Sequence, residues 1–115
     1  MNEAGRAAEA LAATHLERHG LEIVARNYRC RRGEVDLIAT DGETLVFVEV
    51  RLRTRSDYGG AAASIDGAKQ RRIGIAAQHY LARRGAPPPC RFDVVLLERL
   101  DERRLEWIRG AFSPS

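Results

Sequence analysis

GEVDLIATDGETLVFVEVRLRTR, residues 33–55, reads as two strands joined by a tight turn. Strict alternation places Glu34, Asp36 and Ile38 on one face of the first strand. On the second strand, Leu45, Phe47, Glu49 and Arg51 share one face, and Val46, Val48, Val50 and Leu52 share the other. Two turns are open. A type II′ loop at Gly42-Glu43 pairs Asp41 with Thr44 and sets Asp36 directly opposite Glu49. A type I′ loop at Asp41-Gly42 pairs Asp36 with Phe47 and leaves Glu49 on the diagonal. Both put two carboxylates on one sheet face.

Like charges facing each other across a strand pair destabilise it. A raised pKa, an arginine or a divalent cation must offset that repulsion. An oxygen-rich pair of this kind suits magnesium or manganese. The competing structural reading is a wet face on which Asp36 and Glu49 pair with Arg51 and Arg53.

The length of 115 residues allows a single domain, residues 1–115, with one core. A hydrophobic fraction of 44% and a charged fraction of 30% fit a water-soluble globular chain rather than a disordered or membrane-embedded one. The net charge of +3 is a mild basic bias, compatible with a nucleic-acid partner. Of the 19 basic residues, Lys69 is the sole lysine. Cys30 and Cys90 lack any zinc-ligand spacing and read as buried thiols in a reducing compartment. The opening MNEAGRAAEA lacks a basic stretch followed by an apolar run, and no run is long enough to span a membrane, so a cytoplasmic location is expected.

Upstream, residues 3–19 read as an Ala-rich helix stopped by Gly20. Glu9, Ala12, Ala13 and Leu16 share a helical face, which puts Glu9 at the border of the apolar stripe. His15 and His19 fall near the carbonyl end. Residues 21–30 read as a strand, with Arg26, Arg29, Arg31 and Arg32 around its end; a solvated edge and a set of phosphate contacts are both open. Downstream, residues 53–65 read as an irregular loop, for which closure over a bound substrate and a plain connector are both open. Asp66 caps a second helix over about residues 67–84, whose stripe of Ile73, Ala76, Ala77, Tyr80 and Leu81 extends back to Lys69, with Arg72 beside it. RFDVVLLE, residues 91–98, reads as a strand covered on both faces, in which Asp93 has a structural role and needs a partner, Arg91 or a helix terminus. LEWIRGAF, residues 105–112, reads as the last strand. The order α-β-β-β-α-β-β defines an α/β fold with a central mixed sheet.

Helix Glu9, strand Asp36 and Glu49-Val50-Arg51 follow the order of the restriction-endonuclease-like nuclease fold, whose motif is an acidic residue followed by [DE]-x-K. The chain also closely resembles the YraN-like family of candidate endonucleases, which is similar to the archaeal Holliday-junction resolvases. The likeness rests on Glu9 with Ala12-Ala13, GEVDLIA, VFVEVRLRTR, Lys69 with Arg72-Ile73, Ala77 with Tyr80-Leu81, RFDVV and EWIRGAF. It implies a three-layer α/β/α architecture and a magnesium- or manganese-dependent endonuclease acting on DNA, including branched or structured DNA. It implies metal ligation by Asp36, Glu49, the Val50 carbonyl and Glu9. The arginines themselves, Arg26, Arg29, Arg31, Arg32, Arg53, Arg55 and Arg72, are candidate nucleic-acid contacts. A homodimer is an expectation of the same resemblance. The motif's lysine is Arg51 here. Arginine stays protonated and supplies charge but not a general base. Either the metal alone activates water with Arg51 as electrostatic support, or Lys69 supplies the ammonium, or the scaffold binds nucleic acid without cutting it.

Overall fold

The computed structural model describes residues 3–52 and 65–114. The elements are α1 (Glu3–Arg18), β1 (Glu22–Cys30), β2 (Gly33–Asp41), β3 (Thr44–Leu52), α2 (Gly67–Leu81), β4 (Cys90–Leu97), a short 3-10 turn (Glu102–Arg104) and β5 (Leu105–Ile108). The strands form one sheet in the order β1-β2-β3-β4-β5. Neighbours run antiparallel except β3 and β4, which are parallel and joined through α2.

Each helix covers one face. Ala8, Ala12, Ala13 and Leu16 of α1 pack on Leu37, Ala39, Val46, Val48, Val95 and Leu97. Ile73, Ala76 and Ala77 of α2 pack on Val35, Ile38, Phe47, Val94 and Leu96. Val94 to Leu97 are all buried because consecutive residues face opposite helices, which is why the strand reads as an unbroken apolar run. The alanines on both helices let the backbones approach the sheet closely. At Gly33 the approach is closer still: a Cβ there would lie 2.7 Å from the Ala76 nitrogen, so a side chain would push α2 off β2.

The β2–β3 turn settles the register. Asp41 pairs with Thr44, and Gly42 takes φ +60 while Glu43 stays outside the left-handed region, as the type II′ loop requires. The α2 cap is also as expected: the Asp66 carboxylate accepts from the Lys69 N–H at 2.8 Å.

Other expectations need correction. Val35 and Ile38 both face α2, and so do Ala25 and Tyr28, so alternation is interrupted in β2 and in its partner β1. Asn27 lies in the interrupted stretch of β1, with φ +51. Ile38 therefore shares its face with Val35 rather than following the strict alternation that grouped it with Glu34 and Asp36. The last strand stops at Ile108 instead of continuing to residue 112, because Gly110 turns the chain at φ +61 and donates its N–H to Asp93. The cysteines are free thiols, but Cys30 is half-buried and Cys90 exposed, not both buried. The lid reading of residues 53–65 lies outside the described residues except for Ile65, which is buried in the α2-side core.

Candidate active site

The site forms where β2 and β3 separate. Their pairing runs from Asp41–Thr44 to Leu37–Val48 and ends there. Beyond it, β2 continues along β1 as far as Gly33, while β3 continues along β4 as far as Leu52. Asp36 and Glu49 are the next residues on either arm of this fork. The Val50 N–H, which has lost its β2 partner, donates to Asp36 Oδ2 at 2.8 Å. A side chain thus replaces a ladder bond, and the carboxylate is fixed against the backbone.

Three acids meet at the fork. Glu9, on the sheet-facing side of α1, is buried, and Glu49 is only 3% exposed. Both lie within hydrogen-bonding reach of Asp36, which stands between them. Loss of solvent, and then the charge of Asp36, push the Glu49 carboxyl up to about 8. The same two causes push Glu9 up to about 7, moderated by a hydrogen bond from the Asn27 side chain and by the charge of Arg26. Asn27 is a site residue that sequence reading missed. Its signal is an asparagine inside an otherwise strand-forming run, since asparagine tolerates left-handed backbone better than other non-glycine residues.

Lys69 enters from the other helix. Its ammonium lies 2.9 Å from Glu34 Oε1 and 3.3 Å from Glu49 Oε2. Burial alone would lower its pKa, but the hydrogen bond to Glu34 and the charge of Glu49 outweigh that and raise it. Glu34 is correspondingly held below the usual carboxylate range by its hydrogen bond to Lys69. Glu34 is thus a second unassigned participant, half-exposed at the rim and also 3.8 Å from the Arg72 guanidinium. The sole lysine of the chain therefore stays cationic at the edge of the acidic centre.

Glu49 Oε1 is buried without a hydrogen-bond partner. A buried acceptor left unpaired is costly, and two remedies are open: a proton shared with Asp36, or a hard cation. The donor set of carboxylate oxygens fits magnesium or manganese. Among the described residues, no three acidic, histidine or cysteine side chains close into a preset metal cage. Ion binding would therefore have to draw Glu9 and Glu49 onto Asp36 and remove their protons.

The other predicted residues are more dispersed. Arg51 is exposed on β3. Arg26 influences Glu9 and Arg29 influences Glu34, while Arg31 and Arg32 form the exposed β1–β2 turn. Arg53 and Arg55 lie outside the described residues. Asp93 is fully buried and has a structural set of partners: two hydrogen bonds from Arg91, at 2.9 and 3.0 Å, one from the Trp107 indole at 2.9 Å and one from the Gly110 N–H at 3.0 Å.

The class defined by these features is an α/β domain with a helix on each face of a mixed sheet and a buried acidic centre at a strand fork. The model of the Uncharacterised protein family UPF0102 matches residues 8–97, and the chain belongs to that family. It is 61% identical over 110 residues to a UPF0102 protein of Dechloromonas aromatica, covering 95% of this chain and 88% of the relative. It is 51% identical over 113 residues to one from Methylobacillus flagellatus, covering 98% and 99%. A third, from Cupriavidus taiwanensis, is 60% identical over 110 residues, covering 94% and 81%. Among the described residues, no helix is long and apolar enough to cross a membrane.

Proposed function

We propose that this protein is a metal-dependent endonuclease of restriction-endonuclease-like fold that hydrolyses phosphodiester bonds in DNA, branched or otherwise structured DNA included. The observation that carries the reading is the meeting of Glu9, Asp36 and Glu49, from one helix and two strands, beside the ammonium of Lys69. Asp36, Glu49 and Glu9 would hold magnesium or manganese, with the Val50 carbonyl as a further oxygen. When bound, the cation supplies Lewis-acid polarisation of the phosphate and lowers the pKa of a water.

The protein's own groups do the rest. The Val50 N–H orients Asp36. Asn27 favours the charged form of Glu9. Lys69 is placed to stabilise charge on the phosphate oxygens, the role the family motif gives to the lysine that Arg51 replaces. An electrostatic role suits it better than proton abstraction, because its two carboxylate partners keep it protonated.

The test is incubation with branched, single-stranded and duplex DNA in magnesium or manganese. Cleavage lost in Asp36→Ala supports the reading, and cleavage of none of the three substrates refutes it. A second reading, a nucleic-acid-binding module without catalysis, is favoured by Arg51 at the motif lysine position. It predicts salt-sensitive binding that divalent cations do not strengthen. A homodimer follows from the resolvase likeness and is checked by light scattering.

A further inference from the structure

A second feature lies along the seam between β1 and α2. Tyr28, Arg29, His79, Tyr80, Arg83 and Arg84 line an open cleft of about 680 Å³. None of the three acids belongs to it. Its chemistry is basic and aromatic, and its parts are mutually braced. The Tyr28 hydroxyl and His79 Nδ1 are hydrogen-bonded at 2.5 Å. The Tyr28 and Tyr80 rings meet edge to face at 5.3 Å, and Tyr80 is anchored to the core by Phe47 at 6.3 Å. The Arg84 guanidinium carbon sits over the Tyr80 ring, 3.8 Å from its centre, while one of its N–H groups donates to the Tyr80 carbonyl.

Capping the end of α2 explains Arg84 alone. It does not explain why Arg29 comes from β1, and Arg83 from the segment after the helix, to the same cleft. Three guanidinium groups suit an anion. Two tyrosines and a guanidinium held over a ring suit a flat π-system. An acidic peptide would use only the first property, whereas a nucleic acid strand with unpaired bases uses both.

We infer that this cleft is a subsite for an unpaired nucleic acid strand, with a base stacked on the Arg84–Tyr80 platform and phosphates on Arg29 and Arg83. The inference rests on the nucleic-acid reading of the acidic centre but not on cleavage. One of its residues neighbours that centre: Arg29 is the strand partner of Glu34, whose carboxylate holds Lys69. Along α2, Lys69 and Tyr80 are separated by about 16 Å at the helical rise per residue. The cleft would thus take the unpaired flank of a substrate whose scissile phosphate lies at the fork.

The test is fluorescence anisotropy of a labelled oligothymidylate and of an abasic strand of equal length, in EDTA so that nothing is cut. The folded state of each variant is checked by thermal melting. Arg84→Lys keeps the charge but removes the plane. It should weaken oligothymidylate binding roughly five- to a hundredfold while leaving abasic binding within about twofold. Arg83→Ala should weaken both strands alike and lower the salt dependence by about 0.7 in log–log slope. Equal effects of Arg84→Lys on both strands, or none on either, overturn the subsite. So does displacement of oligothymidylate by polyglutamate as readily as by unlabelled strand, which would point to an acidic protein partner. Cleavage is read separately with Asp36→Ala, so the cleft and the nuclease reading can fail independently.

Discussion

Replacing Glu49 with glutamine should change how stability depends on pH, with a sign that follows from the site. The native carboxyl is pushed up to about 8, from 4.5 for an unperturbed group, first by burial and then by Asp36. Between those values the folded protein holds a proton that the unfolded chain releases. Its contribution to stability is therefore complete below about pH 4.5 and is lost progressively as pH rises toward 8. At about 1.4 kcal/mol per pH unit, the loss from pH 4.5 to about 8 is on the order of 5 kcal/mol, or on the order of 20 °C in Tm for a domain of this size. Glu49→Gln removes the titration while keeping the shape. Its amide can donate to Asp36, and Lys69 keeps Glu34 as a partner. Thermal melts of both proteins from pH 5 to 9 in EDTA measure the effect. Wild type should lose stability relative to the variant across that range, with the gap still opening between pH 7 and 8. The groups facing Glu49, namely Asp36 and Lys69, and Glu9 across Asp36, are common to both proteins, as are all three histidines. The difference therefore isolates position 49. Parallel curves for the two proteins above pH 7 would refute the claim that Glu49 is a buried, proton-holding acid.

Four further outcomes follow from the same geometry. Manganese added to wild type at pH 8 should raise Tm and release protons, because ligation requires charged Glu9 and Glu49; Asp36→Ala should abolish both effects, as read by melting and by titration in weak buffer. Lys69→Met should raise the Glu49 pKa further, since the ammonium now lowers it, shifting the alkaline loss of stability to higher pH; cleavage should fall by roughly a hundredfold or more, at the scale of losing one preorganised electrostatic group. Asn27→Gly keeps the backbone conformation but removes the hydrogen bond to Glu9, so the Glu9 carboxyl, followed by NMR titration, should move up from about 7. Asp93→Ala strands the Arg91 guanidinium and the Trp107 indole, and should cost about 3–5 kcal/mol in urea denaturation.

What could be read from the sequence, and what could not, divides along physical lines. Hydrophobic periodicity placed both helices and the first four strands because each element has one buried face or two, and burial is what periodicity records. Lys69 was legible for the same reason: it extends the buried stripe of α2, so it had to face the sheet. Glu34, by contrast, was grouped with the acidic face but given no role. Its pairing with Lys69 depends on how tightly α2 settles on β2, and that is decided by the missing Cβ of Gly33, a contact between residues far apart in sequence. The cleft residues Tyr28, His79 and Arg83 were invisible because no one segment contains them.

The interruption of alternation was the deeper miss, and it bears on the chemistry. A regular hairpin would leave Asp36 and Glu49 opposed on one open face, where water and the flanking arginines could relieve their repulsion. The fork instead separates the strands at that point. Asn27 supports Glu9 from the interrupted stretch of β1, and the Val50 N–H released by the fork holds Asp36. Asp36 thereby lies between an acid carried by α1 and an acid that α2 covers with Lys69. A local departure from ideal strand geometry thus turns two surface carboxylates into three coupled, mostly buried ones. The raised pKa values of Glu9 and Glu49 then follow from the backbone path rather than from sequence spacing. Sites that depend on such departures are where pattern-based reading should fail, since the pattern assumes the regularity that the site has given up.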